Sequence, residues 1–399
     1  MALTVVSPAS ATIATVRPVH RGALVFALAL TAAGLVLLVA QVSVRQSLLF
    51  AIGVAAGLVL YHAAFGFTSS WRELIAHGRG GGLRAQMLML AVTTTVFVPL
   101  MAQGSFLGQA LRGSVAPAGV PVLAGAFLFG IGMQLGGGCA SGTLFSAGGG
   151  SLRMFATLAA FIAGSVLGVR YSSVWEQAPE LRQMSLLGEF GAVPALAISL
   201  AGFAAVAALS VVIEQRRRGA LEVDRASGAW RALHGPWTLA AGGVGLAVVN
   251  ISTLLIAGRP WGVTSAFALW GSKALMASGV DVASWAYWQP AARAAELHAS
   301  VLRDVTSVMD VGIMLGALAA AALAGRFKPM WHVPARSFAA AILGGVLLGY
   351  GARIAFGCNI GAYFSGVAST SLHGWVWLAA AFTGNIVGTR FRPWFGLAV

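Results

Sequence analysis

The sequence predicts an all-α polytopic membrane protein built as two inverted, pseudo-symmetric repeats with short re-entrant helices. Three observations carry that expectation. The chain is 58% hydrophobic and only 9% charged, whereas a soluble domain carries about 25% charged residues. Apolar runs long enough to cross a bilayer, about 20 residues each, recur along its length. The only two cysteines stand in matching glycine-rich segments, Gly130–Gly142 and Gly349–Gly361.

The composition excludes several classes. So few charges cannot cover a water-exposed surface, and in lipid the backbone must satisfy its own hydrogen bonds with helices. The apolar runs are continuous, without the alternation of a transmembrane barrel strand. A net charge of +14 fits basic cytoplasmic loops of a protein embedded in a lipid bilayer, so no nucleic-acid partner is expected. Two cysteines without Cys-x-x-Cys spacing or nearby His and acidic companions make neither a disulfide framework nor a zinc site. No metal and no cofactor are expected, and no nucleotide-binding motif is present for direct ATP drive.

Residues 1–21 read as a loose cytoplasmic tail rather than a cleaved signal. Spans follow at roughly 22–40, 47–67, 85–104, 119–137, 152–170, 190–213, 237–257, 304–325, 337–357 and 370–389. Apolar pieces near 139–149, 262–277 and 359–368 are too short to cross, as re-entrant or broken helices are. The division this gives is a first transmembrane half at 22–170 holding Cys139, an extra span and basic cytoplasmic linker at 171–236, and a second half at 237–392 holding Cys358.

Orientation follows from the basic residues. With the N-terminus inside, sixteen fall inside, among them Arg17, Arg72, Arg153, Arg225, Arg231, Lys328 and Arg392, and seven outside, among them Arg45, Arg112 and Arg293. Both termini are therefore expected in the cytoplasm. The span leading to Cys139 then starts outside and the one leading to Cys358 starts inside, so the repeats are inverted. Transporters of that plan hold substrate near the midplane, at the repeat interface.

The two cysteine segments, overlaid at an offset of 219, match at Gly130/Gly349, Gly132/Gly351, Gly138/Gly357, Cys139/Cys358 and Gly142/Gly361. Gly164–Arg170 is similar to Gly384–Arg390, and Gly66–Ser70 more weakly to Gly262–Ala266. Gly137, Gly138 and Gly357 let the chain turn sharply and let a solute approach. A short helix starting at each cysteine would aim free N–H groups at the cavity, favouring an anion. Ser141 and Asn359 lie just beyond as hydrogen-bond donors. The plainer reading makes both cysteines small buried fillers; duplication of the whole motif favours a site.

Arg353, with Gln134 as its repeat equivalent, either attracts an anion or pairs with Asp310 or a carbonyl. Lys273 is a second cationic candidate, against snorkelling to the outer interface, and Thr264 opens the central element. Asp310 reads as a structural ion pair or a proton relay. His62 reads as a buried, satisfied histidine, and tryptophans such as Trp175, Trp230 and Trp237 as an interfacial belt.

The paired Gly130–Gly142 and Gly349–Gly361 segments, with Arg259–Thr264 between them, resemble the YeeE/YedE family of bacterial inner-membrane proteins over about residues 47–390. The resemblance implies two pseudo-symmetric halves whose short central helices form an hourglass. It also implies import of a small sulfur-containing anion, thiosulfate in the transport-characterised members, passed by S–H···S contacts at Cys139 and Cys358. Thiosulfate transporters of the family carry a third cysteine near the position of Gly262–Phe267, and this chain has none there. Other sulfur or selenium species are therefore alternative substrates. A cytoplasmic sulfur-transferase protein is the candidate protein partner. The competing classes are a membrane thiol oxidoreductase relaying reducing equivalents through the two cysteines, and a non-transporting membrane subunit. The transport reading makes the chain no enzyme.

Overall fold

The computed structural model describes residues 18–221, 234–327 and 333–399. Arg17, Arg225, Trp230, Arg231 and Lys328, with residues 1–17 of the expected tail and 222–233 of the linker, lie outside the described residues.

Fifteen helices carry the architecture: α1 (Arg21–Gln41), α2 (Val44–His62), α3 (Phe67–Arg72, extended by a π turn Glu73–His77), α4 (Gly81–Gln103), α5 (Val120–Gly136), α6 (Ala140–Gly148), α7 (Leu152–Arg170), α8 (Ala192–Arg218), α9 (Leu239–Ala257), α10 (Thr264–Ala277), α11 (Ala291–His298), α12 (Val305–Leu323), α13 (Ala335–Ile354), α14 (Ser365–Ala368, preceded by a π turn Asn359–Phe364) and α15 (Leu372–Phe391). Short turns and a two-stranded ribbon, β1 (Ser105–Phe106) with β2 (Gln109–Ala110), fill the connections. Nine of the described helical segments are long and apolar enough to cross a membrane. The protein is an all-α, multi-pass membrane protein.

Local chemistry fixes the ends. Ser43, Thr238 and Asp304 cap α2, α9 and α12 by accepting from the N–H three residues on, which satisfies donors that a helix start leaves free. The span expected to run to 67 stops at His62, because the chain turns at Ala64 in the left-handed region (φ 44°). It restarts as α3, the broken element that Gly66–Ser70 announced.

Glycine lets the helices close on one another's backbones, as association in lipid requires. Gly53 and Gly57 of α2 seat on the Met309 and Ile313 backbone of α12, and Gly130 of α5 on that of Ala381 in α15. The pairings come in matched sets: α2 lies along α12 and α4 along α9, while α7 lies along α13 and α5 along α15. At the centre α5 crosses α13, and α2 meets α9. Helices α1 and α8 stand at the periphery, with Val25, Phe26, Val36, Val193 and Leu209 exposed. Exposed side chains of this kind suit lipid.

Loop hydrogen bonds define two faces. On one, His20 N–H donates to Ala322 O (2.9 Å), Trp237 N–H to His62 O (2.7 Å) and Arg217 to Ile75 O (2.9 Å). On the other, Arg112 N–H donates to Gly258 O (2.8 Å), Leu181 N–H to Ala118 O (2.8 Å) and Leu186 N–H to Thr370 O (2.9 Å).

Candidate functional site

Each cysteine starts a short element at the end of a long helix. After α5, Gly137 takes φ +88°, and Cys139 then lies extended as the N-cap of α6. After α13, Phe356 (φ 59°) and Gly357 (φ 144°) reverse the chain, and Cys358 lies extended as the N-cap of the π turn. Only glycine adopts the Gly357 conformation without strain. The Cys139 sulfur accepts Gly142 N–H at 3.4 Å and lies 3.4 Å from Ser141 Oγ. The Cys358 sulfur accepts Ile360 N–H at 3.4 Å. Both thiols are free and buried. The two short elements meet.

The other two short helices close around this pair. Gly262, leading into α10, is the nearest neighbour of Gly361, and a side chain added at Gly262 would meet only open space. Thr264 is buried two residues further on. Ser365 Oγ donates to Trp261 O (2.7 Å) and Trp261 N–H to Asn250 Oδ1 (2.8 Å), while Asn250 Nδ2 donates to Ser365 Oγ (3.1 Å). From α3, the Phe67 and Trp71 rings stand edge-on to Tyr363 at 6.0 and 5.9 Å, and Tyr363 stacks on Trp377. Asn359, next to Cys358, is fully buried, and neither atom of its amide has a partner among the described residues. A buried amide left unpaired is costly.

The remaining expected site residues divide. Gln134 is a tie: its Nε2 donates to Asn385 Oδ1 (2.6 Å) and Thr68 O (3.2 Å), and its Oε1 accepts from Arg72 (3.5 Å). Arg353 sits on the second face, 5.0 Å over the Tyr287 ring that Arg293 also covers at 4.2 Å. Together with Trp175, Glu176 and Glu180 they line a cavity of about 250 Å³. Arg353 thus lines a cavity on the second face, and Asp310 has no ion-pair or hydrogen-bond partner among the described residues; the pairing left open between them is not made. Lys273 does not join the thiols. Its ammonium is held by Leu297 O (2.6 Å) and Ala299 O (2.7 Å), so it clamps the end of α11.

Sequence reasoning missed a cationic cluster on the first face. Arg153 donates to Leu135 O (2.5 Å), Gly136 O (2.7 Å) and Ser337 Oγ (2.9 Å), and Arg392 to Gln134 O (2.5 Å). With Arg72 they surround the last turn of α5, whose carbonyls and negative dipole end attract cations. Their signal in the sequence was present but indistinct, since each stood among other loop arginines.

A multi-pass membrane protein with two broken elements, each presenting a buried thiol at a helix start, is the class that fold and site define. The model of the family described as Sulphur transport matches residues 62–387. The chain belongs to that family. It is 35% identical over 136 residues to the "Probable transporter YedE" of Escherichia coli (strain K12), covering 34% of this chain and 33% of that protein. The protein of the same name from Salmonella typhimurium is 31% identical over 155 residues, 39% of this chain and 38% of its own length. These matches therefore span little more than a third of those relatives. The "Thiosulfate transporter TsuA" of Spirochaeta thermophila is 26% identical over 364 residues, covering 86% of this chain and 96% of that protein.

Proposed function

We propose that the chain imports a small sulfur-containing anion, thiosulfate foremost, across the bacterial inner membrane through the constriction between Cys358 and Cys139. The observation that carries the reading is the pair of buried thiols at the starts of touching short elements, with the unpartnered Asn359 amide beside them. Each sulfur already accepts a backbone N–H, which leaves its S–H available to donate to the terminal sulfur of an anion. Helix N-termini add positive potential. Contacts this weak suit passage, because a solute held too tightly does not leave.

In this reading Arg353 and Arg293 attract the anion at the outer mouth, and Arg72, Arg153 and Arg392 receive it on the cytoplasmic side. The excess of basic residues on the first face supports placing that face and both termini inside. The matched helix pairings support two inverted halves, 22–170 and 237–392, joined by the 171–236 segment. With the first face inside, α2 runs inward and α9 outward, as inversion requires. The relative named a thiosulfate transporter supports the substrate, and the open space at Gly262, where a third thiol is missing, leaves other sulfur or selenium anions as competitors. A cytoplasmic sulfur-transferase would receive the product.

The test is uptake of radiolabelled thiosulfate by a strain lacking other importers, with wild type, Cys139→Ala and Cys358→Ala at matched expression. Loss in both variants is expected. Uptake that survives both would reduce the cysteines to packing. A thiol oxidoreductase predicts instead a Cys139–Cys358 disulfide on oxidation.

A further inference from the structure

The Asp310 carboxyl is wholly buried in α12, and neither oxygen meets a donor among the described residues. An acid in the membrane interior is expensive and marks an ion or proton pathway more often than a packing site. Its neighbours are already engaged. Asp304 accepts Ser307 N–H (2.8 Å) and Oγ–H (2.6 Å), Ser307 Oγ accepts Trp270 Nε1–H (2.8 Å), and Thr306 meets Ser265 Oγ (3.0 Å) and Arg259 (3.2 Å). The first half offers a control. Gln86 is the sixth residue of α4, as Asp310 is of α12, and it too is buried. Gln86 has a structural task, accepting Trp71 Nε1–H at 2.9 Å. On α12 the corresponding task, receiving a tryptophan N–H from the short helix α10, falls to Ser307. The acid at 310 is left without one.

Helix α12, which carries Asp310, packs against α6, which starts at Cys139, and α6 in turn meets the segment that starts at Cys358. The titratable groups on the elements around it are few. Its own helix brings Asp304, the segment after α13 brings Cys358, and α6 brings Cys139 at its head. Lys273 of α10 is spent on two carbonyls. α2 bears Arg45, Tyr61 and His62 only at its ends, α1 bears Arg21 at its first residue, and Arg303 lies in the turn before α12. None of these cations pairs with the acid. An ionised Asp310 would repel an anion at Cys358, whereas a protonated one would not, and the low-dielectric surroundings enlarge that difference.

We propose that Asp310 carries a proton that crosses with the anion. One proton is taken up by the carboxylate from the side of entry as the anion reaches Cys358, and the same proton is released when the anion leaves. One anion and one proton then cross per cycle. This inference rests on the transport reading above.

The experiment uses the full chain in proteoliposomes, with labelled thiosulfate and the membrane potential clamped at zero by potassium and valinomycin. An inward gradient of one pH unit should let wild type accumulate thiosulfate about tenfold, the ratio that one proton per anion sustains. Asp310→Asn should still equilibrate thiosulfate but not accumulate it. Wild type that transports yet never accumulates, or Asp310→Asn that still accumulates, would overturn the proposal. Labelling with dicyclohexylcarbodiimide, which attacks protonated carboxyls in apolar sites, reads Asp310 without any substrate. Adduct at Asp310 that declines as pH rises supports the assignment, and no adduct across the physiological pH range refutes it. Adduct without thiosulfate transport by wild type would sink the thiosulfate reading and leave the proton site standing.

Discussion

Replacing Arg153 by methionine removes the fork that holds the last two carbonyls of α5, those of Leu135 and Gly136, just before the Cys139 turn. The guanidinium donates to Leu135 O at 2.5 Å and Gly136 O at 2.7 Å. Gly136 O keeps a second donor, Thr157 Oγ1 at 3.3 Å, but Leu135 O loses its non-helical partner. An orphaned buried carbonyl costs about 1–3 kcal/mol, and the lost charge-assisted bond to Gly136 adds about 1 kcal/mol. The expected destabilisation is therefore about 2–4 kcal/mol, or roughly 30- to 1,000-fold in the folding equilibrium. Reversible unfolding in mixed detergent micelles measures it, with Thr157→Val as the control expected to cost no more than about 1 kcal/mol because Arg153 still serves Gly136. A loss below about 0.5 kcal/mol for Arg153→Met would show that the clamp is ornamental and that the α5 terminus is held by packing alone.

Asn359→Asp should abolish thiosulfate uptake while Asn359→Ser keeps part of it, since the first places a carboxylate beside an anion and the second keeps a donor; equal uptake by the two would remove Asn359 from the path. Gly262→Cys should fold normally, because its side chain enters open space, and should tighten thiosulfate binding in a direct titration; misfolding or unchanged affinity would contradict that. Gly130→Val should sharply lower the yield of folded protein, because a side chain there strikes the Ala381 carbonyl. Wild-type yield in fluorescence-detected size exclusion would mean that α5 and α15 are not as tightly seated as the structure has them. Arg353→Ala should raise the KM for uptake severalfold with little change in maximal rate, and the difference should shrink at high salt, as steering by a mouth charge does.

The helices were legible because bilayer-spanning runs announce themselves by length and apolarity, and the short elements because they fall below that length. Cys139 and Cys358 were legible because the chain repeats their surroundings. The choice between the two readings of Lys273 stayed open in the sequence for a simple reason. Its fate depends on the carbonyls of Leu297 and Ala299, in a loop whose path no local pattern encodes. Arg153 and Arg392 were hidden by the same rule that set the orientation, which treats all loop arginines alike. The role of Gln134 as a tie to Asn385 and Thr68 depends on two distant helices meeting it, and the spare state of Asp310 depends on Ser307, three residues away, receiving the indole of Trp270.

The two cysteine-bearing short elements are fastened unequally. Trp261, Asn250 and Ser365 share three hydrogen bonds, so the lead-in to α10 and the segment carrying Cys358 must travel together. Between α6 and that segment no hydrogen bond occurs among the described residues, only van der Waals contact. A seam of that kind slides at little cost, while the bonded pair resists shear. Opening should therefore be a displacement of the Cys358 block as one body against the Cys139 block, with the slip plane running between the two thiols themselves.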